Sequence, residues 1–180
     1  FYRLRLIRYY QSVEAGAIST PPPRVSVVIA CPAPSVYLSE ALAGLAAQQV
    51  APHEIIVLPD EEPTEPLAAG AIPVAVVTTG KIRPAEKRNL GIEHATGEVV
   101  AFLDDDATPD PKWLYHALKY FSRPEVGGVG GPQLTPHNDP PAAQLGGRVY
   151  ANILVSGSYV YRYISERVRK VDDLPSCNLL

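Results

Sequence analysis

Asp104, Asp105 and Asp106 stand side by side directly after the apolar run of "EVVAFL", and Asp110 follows four residues later. Carboxylates this close repel and raise one another's pKa, so the cluster is costly unless something neutralises it. Hard divalent cations such as Mg2+ and Mn2+ take carboxylate oxygens, commonly one or two from the protein with phosphate and water completing the shell. On an extended strand end, residues two apart point to one side, so Asp104 and Asp106 would converge on such an ion and Asp105 would point away. The alternative is an acidic turn whose side chains bond nearby backbone N–H groups and cap the next helix. Upstream, "GKIRPAEKRNLGIEHATG" carries Lys81, Arg83, Lys87 and Arg88. A solvated basic face is the ordinary meaning of such a run. A helix N-terminus also favours anions, and Arg83 and Arg88, five residues apart, could both reach a nucleotide's phosphates or base.

The elements that must position these residues follow from the hydrophobic pattern. "RVSVVIA" (24–30), "HEIIVLP" (53–59), "PVAVVTT" (73–79) and "EVVAFL" (98–103) read as buried strands. Ser35 is expected to cap a helix to about Gln49, with Val36, Leu38, Leu42, Leu45 and Ala46 as its apolar stripe. Pro84 suits the first turn of a second helix that Gly97 would stop, and Asp110 with Pro111 would start a third, "PKWLYHALKYF". Alternation of this kind predicts an α/β fold with a mostly parallel sheet. Ligands of such sheets bind beyond the carboxyl ends of the strands, where "CPAPS", "PDEE" and "DDDATPD" all fall.

With 180 residues, 46% of them hydrophobic and 19% charged, the chain suits one globular domain. A net charge of −3 gives no reason to expect nucleic acid as a partner. No run approaches the ~20 apolar residues that cross a bilayer. Cys31 and Cys177 are far apart and are expected to be reduced thiols of a cytoplasmic protein. "FYRLRLIRYY" is a basic, aromatic lead-in and "STPPPR" a stiff linker, which makes 1–23 an appendage to a domain over 24–180. The lead-in reads as an amphipathic segment packed on the domain; the alternative is association with the inner face of a membrane. An initial Phe1, the lack of Met and the apolar ending "LPSCNLL" lead us to expect a piece of a longer chain. Trp113 is expected in the core rather than as a sugar platform, while Tyr150, Tyr159, Tyr161 and Tyr163 could line an acceptor groove or pack on the sheet.

Taken together, "RVSVVIA…LSEALAGLAAQ", "EIIVLPDEE", "RPAEKRNLGIEHATGEVVAFLDDDATPDPKWL" and "VGGVGGP" resemble the nucleotide-binding half of GT-A glycosyltransferases of the family 2 type. The resemblance implies a nucleotide-diphospho-sugar transferase fold, Rossmann-like and incomplete at its C-terminus. It implies that Asp60 contacts the base, that Arg83 or Arg88 lies near base or diphosphate, and that Asp104 bonds the ribose or nucleotide. Asp106, with Asp104, would hold Mn2+ or Mg2+; Asp105 counts among the nucleotide-sugar-binding residues. "GGP" (130–132) would form a strand closing the sugar side, and the tail "DDLPSCNLL" would enter the acceptor-facing strand. The partners implied are a UDP-, GDP- or dTDP-sugar donor and a glycan or lipid-linked acceptor. The implied reaction is inverting and metal-dependent, with a carboxylate deprotonating the acceptor hydroxyl. That base is expected downstream of Leu180, and neither Asp172 nor Asp173 is assigned to it, so this piece alone is expected to be inactive. The first loop, "CPAPS", and the single acid of Pro59-Asp60 depart from the family's pattern.

Two other readings compete. Asp104, Asp106 and Thr108 match the D-x-D-x-T nucleophile motif of haloacid-dehalogenase-type phosphohydrolases, although that motif ordinarily follows a domain's first strand. A non-catalytic nucleotide-sugar-binding relative would keep the fold without the chemistry.

Overall fold

A computed structural model of the chain describes residues 16–137, 139–164, 168–171 and 173–180. The whole of the basic lead-in "FYRLRLIRYY" and Asp172 lie outside the described residues. The strands are β1 (Val25–Ala30), β2 (Glu54–Leu58), β3 (Val74–Val76), β4 (Val99–Leu103) and β5 (Asn178–Leu179). They form one sheet in the order β3-β2-β1-β4-β5, parallel throughout except for β5, which runs antiparallel to β4. The central strands β1 and β2 are β-branched and buried on both faces, as parallel strands covered by helices must be.

Alternation along the strands sorts the core into two layers. Val25, Val27, Ile29, Ile55, Val57, Ala101 and Leu103 face α1 (Val36–Ala46) and α3 (Trp113–Leu118). Val28, Ile56 and Leu58 face the other way, against Leu90 and Ala95 of α2 (Pro84–His94) and the turn after it. A helix can lie this close to the sheet because residue 91 is glycine: a Cβ there would overlap the Val28 methyls. Full burial of side chains such as Ile29, Leu38, Ile55 and Leu114 contributes roughly 1.5–3 kcal/mol each.

Ser35 caps α1 by accepting a hydrogen bond from the Leu38 N–H at 3.1 Å, but the helix ends at Ala46, and Val36 is exposed rather than part of the stripe. Gly97 does not stop α2, whose C-cap is Ala95. Its value is closeness: a Cβ on residue 97 would sit 2.7 Å from the Arg24 carbonyl and the Ser26 nitrogen, where the chain enters β4 beside β1. Asp110 lies ahead of α3 instead of at its N-cap; its Oδ1 accepts from the Lys112 N–H in a local turn, and its carbonyl accepts from Trp113. Val129 exchanges backbone hydrogen bonds with Leu180 and Gly130 of the "GGP" segment forms a single bridge, while residues 131–132 run as loop because Pro132 has no N–H to give a ladder. These elements form one compact unit, Gly16–Val129 with Ser176–Leu180.

A second unit covers the described residues of 130–175. It holds α4 (Pro141–Tyr150), α5 (Ile153–Ser156) and a 3-10 turn, Gly157–Arg162. Tyr150 and Tyr163 stack at 5.3 Å between ring centroids, and Arg162 lies 4.6 Å over the Tyr159 ring. Among the described residues no helix is long and apolar enough to cross a membrane.

Candidate active site

The carboxyl ends of β1, β2 and β4 meet at one edge of the sheet, and the backbone there is stitched together. Cys31 N–H donates to the Leu58 carbonyl at 3.2 Å, Asp60 N–H to Pro32 at 3.0 Å, and Gly80 N–H to Asp60 at 3.1 Å. From the second turn of α2, Lys87 reaches into this junction. Its ammonium donates to the carbonyls of Cys31 (2.6 Å) and Leu58 (3.1 Å) and to Asp60 Oδ1 (2.5 Å). The residue is 3% exposed, so the basic run does not form one solvated face.

The acids after β4 are not on an extended end. Ala107 N–H donates to the Asp104 carbonyl at 3.1 Å, which makes Asp105 and Asp106 the middle of a turn. The alternation expected of a strand therefore does not apply. Asp104 is held by Arg88, whose guanidinium donates to Oδ1 at 2.7 Å. Asp105 is half-buried, and burial above all raises its pKa; a hydrogen bond from its own backbone N–H opposes this, the charges of Asp106 and Asp104 add to it, and Lys87 pulls the other way. Cys31, buried at the end of β1, is pushed up to about 11 by burial and then by the Asp105 charge. Asp106 is exposed. Arg83 is also exposed; its N–H and guanidinium both donate to Glu86, at 2.9 and 2.8 Å.

The edge thus gathers Asp60, Lys87, Arg88, Asp104, Asp105 and Asp106, with Arg83 at the start of α2. Among the described residues no three His, Cys, Asp or Glu side chains converge to hold a metal ion. A closed protein cage is therefore not what this donor set offers. One or two carboxylates at an exposed turn do suit a hard cation that brings phosphate oxygens with it.

Reading along the sequence missed two residues of the site's framework. Lys87 was concealed in a charged stretch; its signal is the four-residue spacing to Gly91, which puts both on the sheet-facing side of α2. Gln48 falls within the last turn of the helix expected to reach about Gln49, and nothing in its sequence context singles it out. Its buried amide donates to the Asp110 carbonyl at 2.7 Å and accepts from the Leu114 N–H at 3.2 Å, so it anchors the exit of the acidic loop to α3. Trp113 packs against the core as expected, with its indole N–H on Asn178 Oδ1 at 2.7 Å. Asp173 belongs to the second unit, where Arg162 and the Tyr161 hydroxyl bond it.

Comparison with known proteins gives this edge a context. The family model described as Glycosyl transferase family 2 matches residues 26–170. Two curated proteins of Haloferax volcanii are similar over a short stretch: Glycosyltransferase AglE, 43% identical over 44 residues, and Glucosyl-dolichyl phosphate glucuronosyltransferase, 44% identical over 45 residues. Each stretch is 24% of this chain and 14% of the relative. Among solved structures, the mannosyltransferase PcManGT of Pyrobaculum calidifontis, in complex with GDP-Man and Mn2+, superposes with a TM-score of 0.60 at 23% identity. That match covers 76% of this chain and 43% of the mannosyltransferase. TarS of S. aureus, in a structure with UDP-GlcNAc, gives 0.52 at 22% identity over 66% of this chain and 37% of that one. The chain therefore spans less than half the length of these transferases, with which it shares the GT-A fold.

Proposed function

The chain belongs to glycosyl transferase family 2, and from that premise we propose that it is the donor-binding part of an inverting, metal-dependent transferase that moves a sugar from a nucleoside diphosphate to an acceptor hydroxyl. The observation that carries this reading is the acidic turn at the end of β4, with Arg88 on Asp104 and the Lys87–Asp60 pair on the same sheet edge. Family membership and the place of the acids after the fourth strand argue against the phosphohydrolase alternative.

The roles divide by chemistry. The free oxygen of Asp60 can only accept, so it suits an N–H of the base. Asp104, oriented by Arg88, and the neighbouring Asp105 bond the ribose or nucleotide. Arg88 and Arg83 offer positive charge to the diphosphate as it departs. Mn2+ or Mg2+ would be held by Asp106 with Asp104 and would supply charge neutralisation to the leaving group. Support for such an ion comes from the exposed carboxylate turn and from the PcManGT complex with GDP-Man and Mn2+. The acceptor is a glycan or a lipid-linked one, the latter supported by the dolichyl phosphate in one relative's name. A lipid-linked acceptor would bring the reaction to the cytoplasmic face of a membrane. We assign no described residue as the base that deprotonates the acceptor, and so this chain alone binds donor but transfers poorly. Titration calorimetry with UDP, GDP and dTDP, with and without Mn2+, tests the reading. Heat that grows with Mn2+ for at least one nucleotide is expected; none with any of them overturns it.

A further inference from the structure

We propose that Lys87 is a positioning residue that fixes which way Asp60 faces, and thereby sets which nucleobases the site accepts. The inference rests on Asp60 meeting the base, as in the functional reading above. An ammonium has three N–H donors and no acceptor. Here all three are placed, on the carbonyls of Cys31 and Leu58 and on Asp60 Oδ1, in a residue 3% exposed. Turning Asp60 away would leave a buried ammonium short of an acceptor, which is costly. The backbone of Asp60 is pinned as well, its N–H on Pro32 and its carbonyl under Gly80 N–H. Only the second carboxylate oxygen is left for a ligand, on a side chain still 23% exposed.

An acceptor held this way selects bases that present a ring N–H: N3–H of uracil or thymine, N1–H of guanine. Cytosine and adenine present a lone pair at the corresponding position and are disfavoured. The same geometry makes a sharper prediction for Asp60→Asn. Lys87 can only donate, so the amide oxygen must face it and the amide NH2 must face the ligand. The variant's selectivity should therefore invert towards cytosine. Without Lys87 the amide is free to flip, and the inversion should vanish.

The test is calorimetric binding of UDP and CDP, each with Mn2+, to the wild type, Asp60→Asn, Lys87→Met and the double variant, with folding checked by circular dichroism. The expected result is a shift of about tenfold in the UDP:CDP affinity ratio on Asp60→Asn, the worth of one hydrogen bond to a charged group, and little further shift when the same change is made on Lys87→Met. An equal shift in both backgrounds would make Lys87 a structural brace only and overturn the proposal. Should Lys87→Met not fold, Asp60→Asn decides by itself: an unchanged ratio overturns it. If GDP is the nucleotide that the wild type binds, GDP and ADP take the places of UDP and CDP; a wild type that binds none of UDP, dTDP and GDP would remove the functional reading beneath the proposal, a failure distinct from the other two.

Discussion

An ammonium with its three N–H groups committed to protein acceptors has none left for a phosphate, and this separates the basic residues of α2. Lys87 serves the framework, Arg88 serves Asp104, and Arg83 stands in solvent with Glu86. The sequence made the acids legible because a buried β-rich run ending in carboxylates is a local pattern. Lys87 was not legible as a buried group. Its acceptors come from residues 56 and 29 positions away, on strands whose adjacency no local window contains. Cys31 gives a prediction at this scale. Burial first, then Asp105, raises its thiol from 9.0 to about 11. Below pH 9 the thiol is protonated folded or unfolded, and its contribution to stability is intact. Between pH 9 and 11 the unfolded chain loses the proton first, so stability falls as pH rises. Urea melts of the wild type and Cys31→Ala should diverge in slope across that window; parallel profiles would contradict the burial of this thiol.

Two joints between secondary elements are made by polar contacts that the local sequence does not announce. Gln48 lies just past α1, yet it satisfies the Leu114 N–H at the start of α3 and the Asp110 carbonyl at the exit of the acidic loop. Gln48→Leu leaves the buried Leu114 N–H without its acceptor, while the Asp110 carbonyl keeps the Trp113 N–H, and should cost about 1–3 kcal/mol in a denaturant melt; a loss under about 0.5 kcal/mol, the range of ordinary surface changes, would contradict that role. At the opposite edge of the sheet, register places Ser26 beside Glu54, and Glu54 Oε1 accepts from Ser26 Oγ (2.6 Å) and from the N–H and hydroxyl of Thr96 (both 2.7 Å). Burial alone would raise the Glu54 pKa, but the bonds from Ser26 and Thr96 outweigh it and hold the carboxyl below its ordinary 4.5. Its stabilisation is therefore present above pH 4.5 and lost as pH falls through the lowered folded value. Glu54→Leu should cost about 1 kcal/mol at neutral pH, discounted for solvent screening, and the gap to wild type should close in acid. A gap independent of pH would contradict the bonding scheme. Strands and helices were legible from alternation and from Pro and Ser at helix starts. Their joints were not, as the turn at Asp104–Ala107 and the close approach at Gly97 show, because both depend on neighbours distant in sequence.

At the scale of the molecule, the parallel sheet is a device for bringing the ends of separate strands together, and the donor reading depends on that convergence more than on any one residue. Family 2 membership accounts for the order of the elements, while the proposal that a nucleoside diphosphate and a divalent ion bind at this edge rests on the acids, Arg88 and the Lys87–Asp60 pair. The most direct measurement is an electron paramagnetic resonance titration of Mn2+ with the protein, in the presence and absence of UDP or GDP. Free Mn2+ gives a sharp signal that disappears on binding. The account predicts that the wild type takes up Mn2+ much more tightly with a nucleotide present, and that Asp106→Asn weakens this uptake by at least about tenfold, the lower end of the loss seen when metal-site partners are removed. Uptake by Asp106→Asn equal to that of the wild type would contradict it.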